Sequence, residues 1–351
     1  MTNLSARQIA RQRALRAWLA AAGWPRPDCD GQTVSEFESQ FIGAGWLEIG
    51  TPEGLGGRGG GLLALALTAE ELSRATAPSG AWLSTVLAVD AVARHEVLDR
   101  ALLGEGAAWL IPAFGARGGA TLEISAAGDL TGCLPGVLAG DTARWLVAPV
   151  RCAHGPQLRL VDATDARVCS RAYDLLDPSR TLAHLSLDRV PSEPLDGPAV
   201  ALLAATAARA NVLLAADVLG AVERLVEVAA GHGHGVPRAV RASLDVLRGA
   251  VHRTAHAIDS RAGRATCSMP RVVPPVADLA QWANTAGGLV AAAVATMSRG
   301  QRSTLRQPLE RVRLDVHLAD GLVGNVPEHD RHLVRPRRRQ VVCRPQGARP
   351  E

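Results

Sequence analysis

The chain carries few of the residue patterns that perform nucleophilic, metal or phosphate chemistry. It has no Gly-x-Ser-x-Gly element. The glycine-rich stretch at residues 54–61 is not a phosphate loop, because the Gly-Lys-Ser/Thr end is missing and the chain has no lysine. His232 and His234 could share a metal ion, but no cysteine, aspartate or third histidine stands near them. We therefore predict no metal site and interpret these histidines as part of a glycine-rich joint between helices.

Composition narrows the class of protein. The 351 residues are 47% apolar and 21% charged, which is typical of a soluble globular protein with two or three structural units. The net charge is +4 and every one of the 38 basic residues is arginine, which we interpret as a coding bias. Aromatic residues make up only 3% of the chain, so base-stacking surfaces and nucleic-acid binding are not expected.

The spacing of the cysteines and the hydropathy of the chain indicate in which cellular compartment the protein is expected. The six cysteines include no Cys-x-x-Cys pair, so neither a zinc site nor a disulfide framework is indicated. Residues 199–219 come closest to a membrane span, but Arg209, Asn211 and Asp217 interrupt them. The start of the chain lacks the apolar run of a secretory signal. We expect a cytoplasmic protein that does not bind membranes.

The glycine-dense loop at residues 54–61 leads directly into residues 62–74, whose apolar positions and paired Glu70 and Glu71 favour a helix. Glycine adopts positive φ easily and has no Cβ. Such a loop can therefore pass close to a ligand or to another segment of backbone.

Periodicity predicts three structural regions and a tail. Residues 1–105 are predicted to be helical, with helices at 5–22, 35–44, 62–75 and 81–97. Residues 106–195 are predicted to form a β-domain, with short apolar or alternating runs at 107–114, 120–124, 143–148, 157–161, 167–171 and 182–187. Residues 196–330 are predicted to form a four-helix bundle, with helices at 199–230, 236–263, 276–298 and 304–322. The arginine-rich tail, 331–351, is expected to be partly solvated.

Three stretches resemble the acyl-CoA dehydrogenase family. They are Gly-Trp-Leu…Pro-Glu…Glu-Glu-Leu-x-Arg within residues 45–74, the segment 177–191, and Glu-His-Asp-Arg-His-Leu at 328–333, which is similar to an actinobacterial signature. The resemblance extends over essentially the whole chain. It implies an α+β fold with an N-terminal helical domain (1–105), a middle β-barrel-like domain (106–195) and a C-terminal four-helix bundle (196–330).

The resemblance implies a flavoenzyme that desaturates acyl thioesters, in which a carboxylate removes the α-proton while FAD accepts hydride. One family position for this base falls near Arg209, Ala210 and Asn211, and the other falls within residues 339–348; neither has a carboxylate. Glu328 and Asp330 are the remaining candidates for the base. We interpret Asp217 and Glu223, on the same predicted helix as the missing base, as solvent-facing or capping charges.

The flavin motifs are also altered. The segment Ile-Pro-Ala-Phe-Gly-Ala-Arg-Gly-Gly-Ala at 111–120 lacks the family's hydroxyl residues and keeps Gly115 as its candidate cofactor contact. Residues 231–237 lack the Arg, Gln and Phe of the partner-facing motif. Gly321 and Gly324 are what remains of the turn that contacts the adenosine part of FAD.

Three functions remain open at this point. The chain is either a self-sufficient flavin-dependent dehydrogenase with a relocated base, or the degenerate subunit of a heteromeric FAD-dependent dehydrogenase, or a flavin-free enzyme repurposed for a biosynthetic pathway. Loss of both base positions together with the flavin motifs favours the second. The expected partners are an acyl-CoA or acyl-carrier thioester and a homologous dehydrogenase subunit, or a second copy of the chain in a homodimer, with FAD either lost or shared with that partner.

Overall fold

A computed structural model of the chain describes residues 4–26, 31–110, 122–152, 155–175, 177, 179–231, 238–262, 311 and 335–336. Helices come first along the chain, strands follow, and long helices return, as the sequence predicts. The helices are α1 (Ala6–Ala21), α2 (Gly31–Gly43), α3 (Gly61–Arg74), α4 (Gly80–Val92), α5 (Val97–Arg100), α6 (Ala199–Gly231) and α7 (Arg238–Ala262). The strands are β1 (Ala107–Trp109), β2 (Leu122–Ile124), β3 (Leu130–Leu138), β4 (Trp145–Cys152), β5 (Gly155–Asp162), β6 (Val168–Asp174), β7 (Leu182–Val190), β8 (Glu193–Leu195) and β9 (Arg335–Pro336).

The described residues group into two compact units. The first takes its residues from Met1–Ser79, Leu176–Ser179 and Ala207–Val323, and the second from Gly80–Leu175, Arg180–Thr206 and Gly324–Glu351. Of the predicted four-helix bundle, the first two helices correspond to α6 and α7. The other two predicted helices, 276–298 and 304–322, lie outside the described residues except for residue 311, which is helical.

Helix α1 begins with a capping box. The Ser5 hydroxyl accepts a hydrogen bond from the Gln8 amide at 3.3 Å, and the Gln8 side chain accepts one from the Ser5 amide at 2.8 Å. Trp18 of this helix makes edge-to-face contacts with Phe37 and Phe41 of α2, with ring centroids 5.8 and 5.9 Å apart. This aromatic contact fixes α1 against α2 in the first unit.

Helix α3 is the central element of the first unit, since every residue from Leu62 to Ser73 is buried. Helix α6 packs directly on its backbone: a Cβ added at Gly220 would overlap the carbonyl oxygen of Glu70 and lie 2.9 Å from the amide nitrogen of Arg74. Glycine at position 220 therefore permits the close approach of two helices. The polar residues within buried α3 are Thr68, Glu70, Glu71 and Ser73, and each forms a hydrogen bond.

Among the helices of the described ranges, α6 alone is long and apolar enough to span a membrane by length and composition. Half of its most apolar 18-residue window is buried inside the protein, and the helix contains buried Asn211 and Asp217. These features are those of a core helix in a folded protein.

The second unit contains two sheets with a shared apolar core. One sheet has the strand order β1-β4-β5-β8, with β1 parallel to β4, and the other has the order β2-β3-β7-β6-β9. The core between them includes Leu134, Leu146 and Leu185, which are almost fully buried. The sequence predicts a β-domain here, and the fold class is confirmed.

Two details differ from the sequence predictions. Strand β3 is not among the runs found by alternation, because it contains Gly132, Pro135 and Gly136 and its register against β7 shifts twice. Arg335 and Pro336 were expected in a solvated tail, but they form β9 and pair antiparallel with β6. Backbone pairing at this sheet edge accounts for their order.

Candidate functional site

The residues assigned to catalysis and cofactor binding by sequence, Glu328, Asp330, Gly115, Gly321 and Gly324, lie outside the described residues. So do His232 and His234, and within the described ranges no group of three or more His, Cys, Asp or Glu residues could hold a metal ion. The site assignments therefore remain predictions. The described residues do contain the α6 position at which the resemblance places a base, together with every carboxylate of that helix.

At that position α6 carries no proton acceptor of carboxylate type. Ala210 is fully buried and Asn211 is 7% exposed. The Oδ1 atom of Asn211 is buried and has no hydrogen-bond partner among the described residues. A carboxamide is not basic, so Asn211 cannot remove an α-proton, although it can donate and accept hydrogen bonds.

Asp217 was expected to face solvent or cap a helix, and this interpretation is wrong. Its side chain is 2% exposed. The Ser73 hydroxyl donates to Asp217 Oδ2 at 3.0 Å, and Arg311 Nε lies 3.5 Å from the same oxygen. Because α6 is buried over its middle turns, a carboxylate there requires a cation and a donor to offset its lost hydration.

Arg311 is the cation of this cluster and is completely buried. Besides Asp217, its Nε lies 3.7 Å from Asp177 Oδ2. Its guanidinium also donates to the carbonyl oxygen of Ala77 at 2.6 Å and to the Ser79 hydroxyl at 2.7 Å. Arg311 thus joins the segment after α3, the residues around Asp177, and α6.

Glu223 was also expected to be a solvent-facing or capping charge, and the structure corrects this interpretation too. Its carboxylate pairs with Arg248 of α7. Arg248 Nε lies 3.1 Å from Glu70 Oε1, and His252 Nε2 lies 3.4 Å from Glu70 Oε2. A three-helix ion network therefore connects α3, α6 and α7.

The third carboxylate of α6, Glu227, belongs to another cluster built on α3. Its Oε1 accepts a hydrogen bond from Arg74 at 2.9 Å. Glu71, fully buried, accepts hydrogen bonds from Arg74 at 3.2 Å and from Arg16 of α1 at 2.6 and 2.9 Å. Charge-assisted pairs of this kind fix α1 and α6 against α3.

Glu70 is held as a carboxylate by its partners. Burial alone would raise the pKa of Glu70, but the hydrogen bond with His252 and the charge and hydrogen bond of Arg248 outweigh burial and place that pKa below the ordinary value of 4.5. A carboxyl group with a lowered folded-state pKa stabilises the fold above the unfolded-state pKa. This contribution is lost as the pH falls through the folded-state pKa.

We expect Glu70→Gln to lower the free energy of unfolding at pH 7 by about 1–3 kcal/mol, since Arg248 loses a charged partner. The deficit should shrink as the pH falls from about 4.5 through the lowered folded-state pKa of Glu70, because protonation then removes the same charge from the wild type. Urea unfolding at pH 7 and at pH 3.5 measures both. Glu53→Gln is the control, since the Glu53 side chain is 74% exposed and its distance of 4.0 Å from Arg7 is long for an ion pair. A loss of stability in Glu70→Gln that does not change with pH would contradict the assignment of Glu70 as an ionised partner.

The glycine-rich loop that precedes α3 approaches another segment of the same chain. Gly61 has a φ of +63°, and a Cβ there would lie 2.6 Å from the Asp259 carboxylate of α7. Asp259 accepts hydrogen bonds from the amides of Leu62 and Leu63 at 2.8 and 3.1 Å. The carboxylate caps the N-terminus of α3, which has no capping side chain of its own at Gly60.

Comparison with known proteins identifies the fold. Residues 5–96 match the family model of the acyl-CoA dehydrogenase N-terminal domain. The chain superposes on a glutaryl-CoA dehydrogenase in complex with glutaryl-CoA with a TM-score of 0.73 and 16% identity, covering 91% of this chain and 92% of that one. The chain has the acyl-CoA dehydrogenase fold. Sequence similarity to the family model is confined to residues 5–96, and over the rest of the chain the likeness is one of fold.

Two further solved structures share this fold at low identity. The ChsE4-ChsE5 complex from Mycobacterium tuberculosis gives a TM-score of 0.68 at 20% identity, covering 92% of this chain and 94% of that chain. PigA with FAD and proline gives 0.69 at 14% identity, with coverages of 92% and 97%. A search of curated proteins found no match.

Helix α3 was predicted from the sequence, but the distant residues that form hydrogen bonds with it were not. Arg311, Arg248 and Asp259 bind α3 from positions more than 170 residues away along the chain. The available signal was the presence of Glu70, Glu71 and Ser73 inside a helix that is otherwise apolar. Buried polar residues require partners, but the pattern does not name those partners.

Proposed function

We propose that this acyl-CoA dehydrogenase family member is the degenerate subunit of a heteromeric FAD-dependent acyl-thioester α,β-dehydrogenase. In this proposal the chain binds or helps to bind the thioester and packs against a homologous subunit that supplies the base. The complex is a soluble, cytoplasmic assembly. The acyl group is carried on coenzyme A or on a carrier protein.

The observation that carries the proposal is the state of the α6 carboxylates. Helix α6 has three, and each is paired with an arginine: Asp217 with Arg311, Glu223 with Arg248, and Glu227 with Arg74. A general base must be free to take a proton and must reach its substrate. Protonating any of these carboxylates would break an ion pair, so none is suited to act as the base.

The sequence segments that correspond to the family's flavin contacts support the same proposal. Residues 111–120 offer no hydroxyl group and residues 231–237 offer no Arg, Gln or Phe, so the donor set does not fit the one that the family resemblance implies. We therefore assign FAD to the partner or to a site shared with it.

The proteins and ligands present in the similar solved structures support the proposal. One is a complex of two chains, ChsE4 and ChsE5, one holds glutaryl-CoA, and one holds FAD. For this protein, a paired assembly, a thioester ligand and a flavin in the assembly are parts of the proposal.

The test is a visible absorption spectrum of the purified chain alone, and again after co-expression with any dehydrogenase-like protein that a neighbouring gene encodes. We expect the chain alone to lack stoichiometric flavin absorbance and to reduce no electron acceptor with acyl-CoA. Co-expression should yield a mixed oligomer that is yellow and oxidises acyl-CoA.

The partner expressed alone is the control for that experiment. A chain that binds near-stoichiometric flavin alone and oxidises acyl-CoA would contradict the proposal and favour a relocated base. Failure to co-purify with the partner, together with turnover of a thioester without flavin, would favour the repurposed enzyme.

A further inference from the structure

Helix α6 contains a buried polar side chain, Asn211, whose carbonyl oxygen accepts no hydrogen bond from the described residues. Asn211 is 7% exposed, and its Oδ1 is buried without a hydrogen-bond partner among the described residues. The other buried polar side chain of α6 in the first unit, Asp217, accepts a hydrogen bond from Ser73 and pairs with Arg311. Leaving a buried acceptor unpaired is costly, so native proteins rarely do so without a reason.

Helix geometry places Asn211 away from α3. Gly220, which packs against the α3 backbone, is nine residues further along α6, and nine residues at about 100° each correspond to about half a turn of difference in direction. Asn211 therefore lies on the face of α6 opposite Gly220. The α3 ion networks do not explain its presence.

The turn beside Asn211 contains two small residues that are only partly buried. Side chains of an α-helix tilt toward its N-terminus, so the carboxamide of Asn211 leans over the turn that contains Ala207 and Ala208. Both alanines are only half-buried, and Leu214 and Ala215 on the following turn are buried and apolar. A single polar group beside small and apolar side chains is the kind of lining that small-molecule sites have.

We propose that the carboxamide of Asn211 accepts a hydrogen bond from a bound acyl thioester, whose donor is either a hydroxyl on the acyl chain or an amide N–H of the pantetheine arm. This inference rests on the proposed function, from which it takes the class of ligand. Asn211 then recognises the ligand and takes no part in proton transfer.

The test uses Asn211→Leu, a substitution of similar volume that removes the polar atoms. Binding of octanoyl-CoA and of 3-hydroxyoctanoyl-CoA is measured by calorimetry on the full chain, in its complex with the partner if one co-purifies. We expect the variant to bind at least one ligand about tenfold or more weakly. Loss for the hydroxylated ligand alone identifies the hydroxyl as donor, and loss for both identifies the pantetheine amide.

Stability of the ligand-free chain supplies a second readout. Since Oδ1 has no hydrogen-bond partner in the described part of the chain, Asn211→Leu should unfold at the same urea concentration as the wild type or at a higher one. Gln32→Leu, the same kind of change at an exposed position of α2, is the matched control and should leave binding unchanged.

The outcomes separate the two proposals. If the wild-type protein binds neither ligand, both the proposed function and this inference are wrong. If it binds them and Asn211→Leu binds equally well, only this inference is wrong. A marked loss of stability in ligand-free Asn211→Leu would also overturn it, since the amide would then have an internal partner.

Discussion

Replacing Arg311 by methionine is expected to destabilise the protein by about 3–5 kcal/mol, the usual cost of removing one partner from a buried ion pair. The substitution keeps a long side chain but leaves the carboxylates of Asp177 and Asp217 buried without this cation. It also removes donors from the carbonyl oxygen of Ala77 and from the Ser79 hydroxyl. Urea unfolding at pH 7 measures the change in the free energy of unfolding.

Arg7→Met is the matched control, since the Arg7 side chain is 76% exposed and 4.0 Å from its acidic neighbour Glu53. Exposed pairs contribute little, so its free energy of unfolding should change by less than about 0.5 kcal/mol. Adding Asp217→Asn to Arg311→Met should recover part of the loss, because one uncompensated charge is removed. A loss below about 1 kcal/mol in Arg311→Met would show that these buried carboxylates do not depend on Arg311.

Gly220→Ala is expected to destabilise the fold by about 1–3 kcal/mol, as overpacking of a close-packed interior does. The added methyl group would overlap the Glu70 carbonyl oxygen and lie 2.9 Å from the Arg74 amide nitrogen, and both are backbone atoms of α3. Neither atom can move independently of its helix, so α6 must shift away from α3. Thermal unfolding followed by circular dichroism measures the effect.

The control is the same substitution in α7. A Cβ at Gly249 would meet only the far end of the Arg253 side chain at 2.9 Å, and a flexible side chain can move aside. Because alanine is the better helix former, Gly249→Ala should raise stability by up to about 1 kcal/mol. Opposite signs for these two substitutions are expected, and a neutral Gly220→Ala would contradict the close approach of α6 to α3.

The helices and their order were predictable from the sequence because local signals specify them. Ser5 and Gln8 form the capping box that begins α1, and the glycine-rich loop before Leu62 marks the start of α3. Strand β3 was not found by alternation, because the register shifts around Gly132 and Pro135 interrupt the two-residue period.

The surroundings of the candidate site could not be predicted, because they depend on long-range partners. Asp217 is a single charge among apolar neighbours, a pattern that fits either an exposed position or a buried ion, and only its contacts with Ser73 and Arg311 reveal the buried ion. From the sequence, the glycine-rich loop could pass close either to a ligand or to another segment of the chain. Its partner, Asp259, lies 197 residues beyond Leu62, and sequence spacing carries no signal across that separation.

We propose that the base that removes the α-proton of the acyl thioester belongs to a homologous subunit, since each carboxylate of α6 is paired with an arginine. The most direct measurement is deuterium incorporation at the α-carbon of octanoyl-CoA in D₂O, followed by mass spectrometry with the purified chain alone. We expect incorporation no faster than in a protein-free control. Incorporation that requires the protein and disappears in Glu328→Gln or Asp330→Asn would contradict it, because the base would then be present at one of those residues.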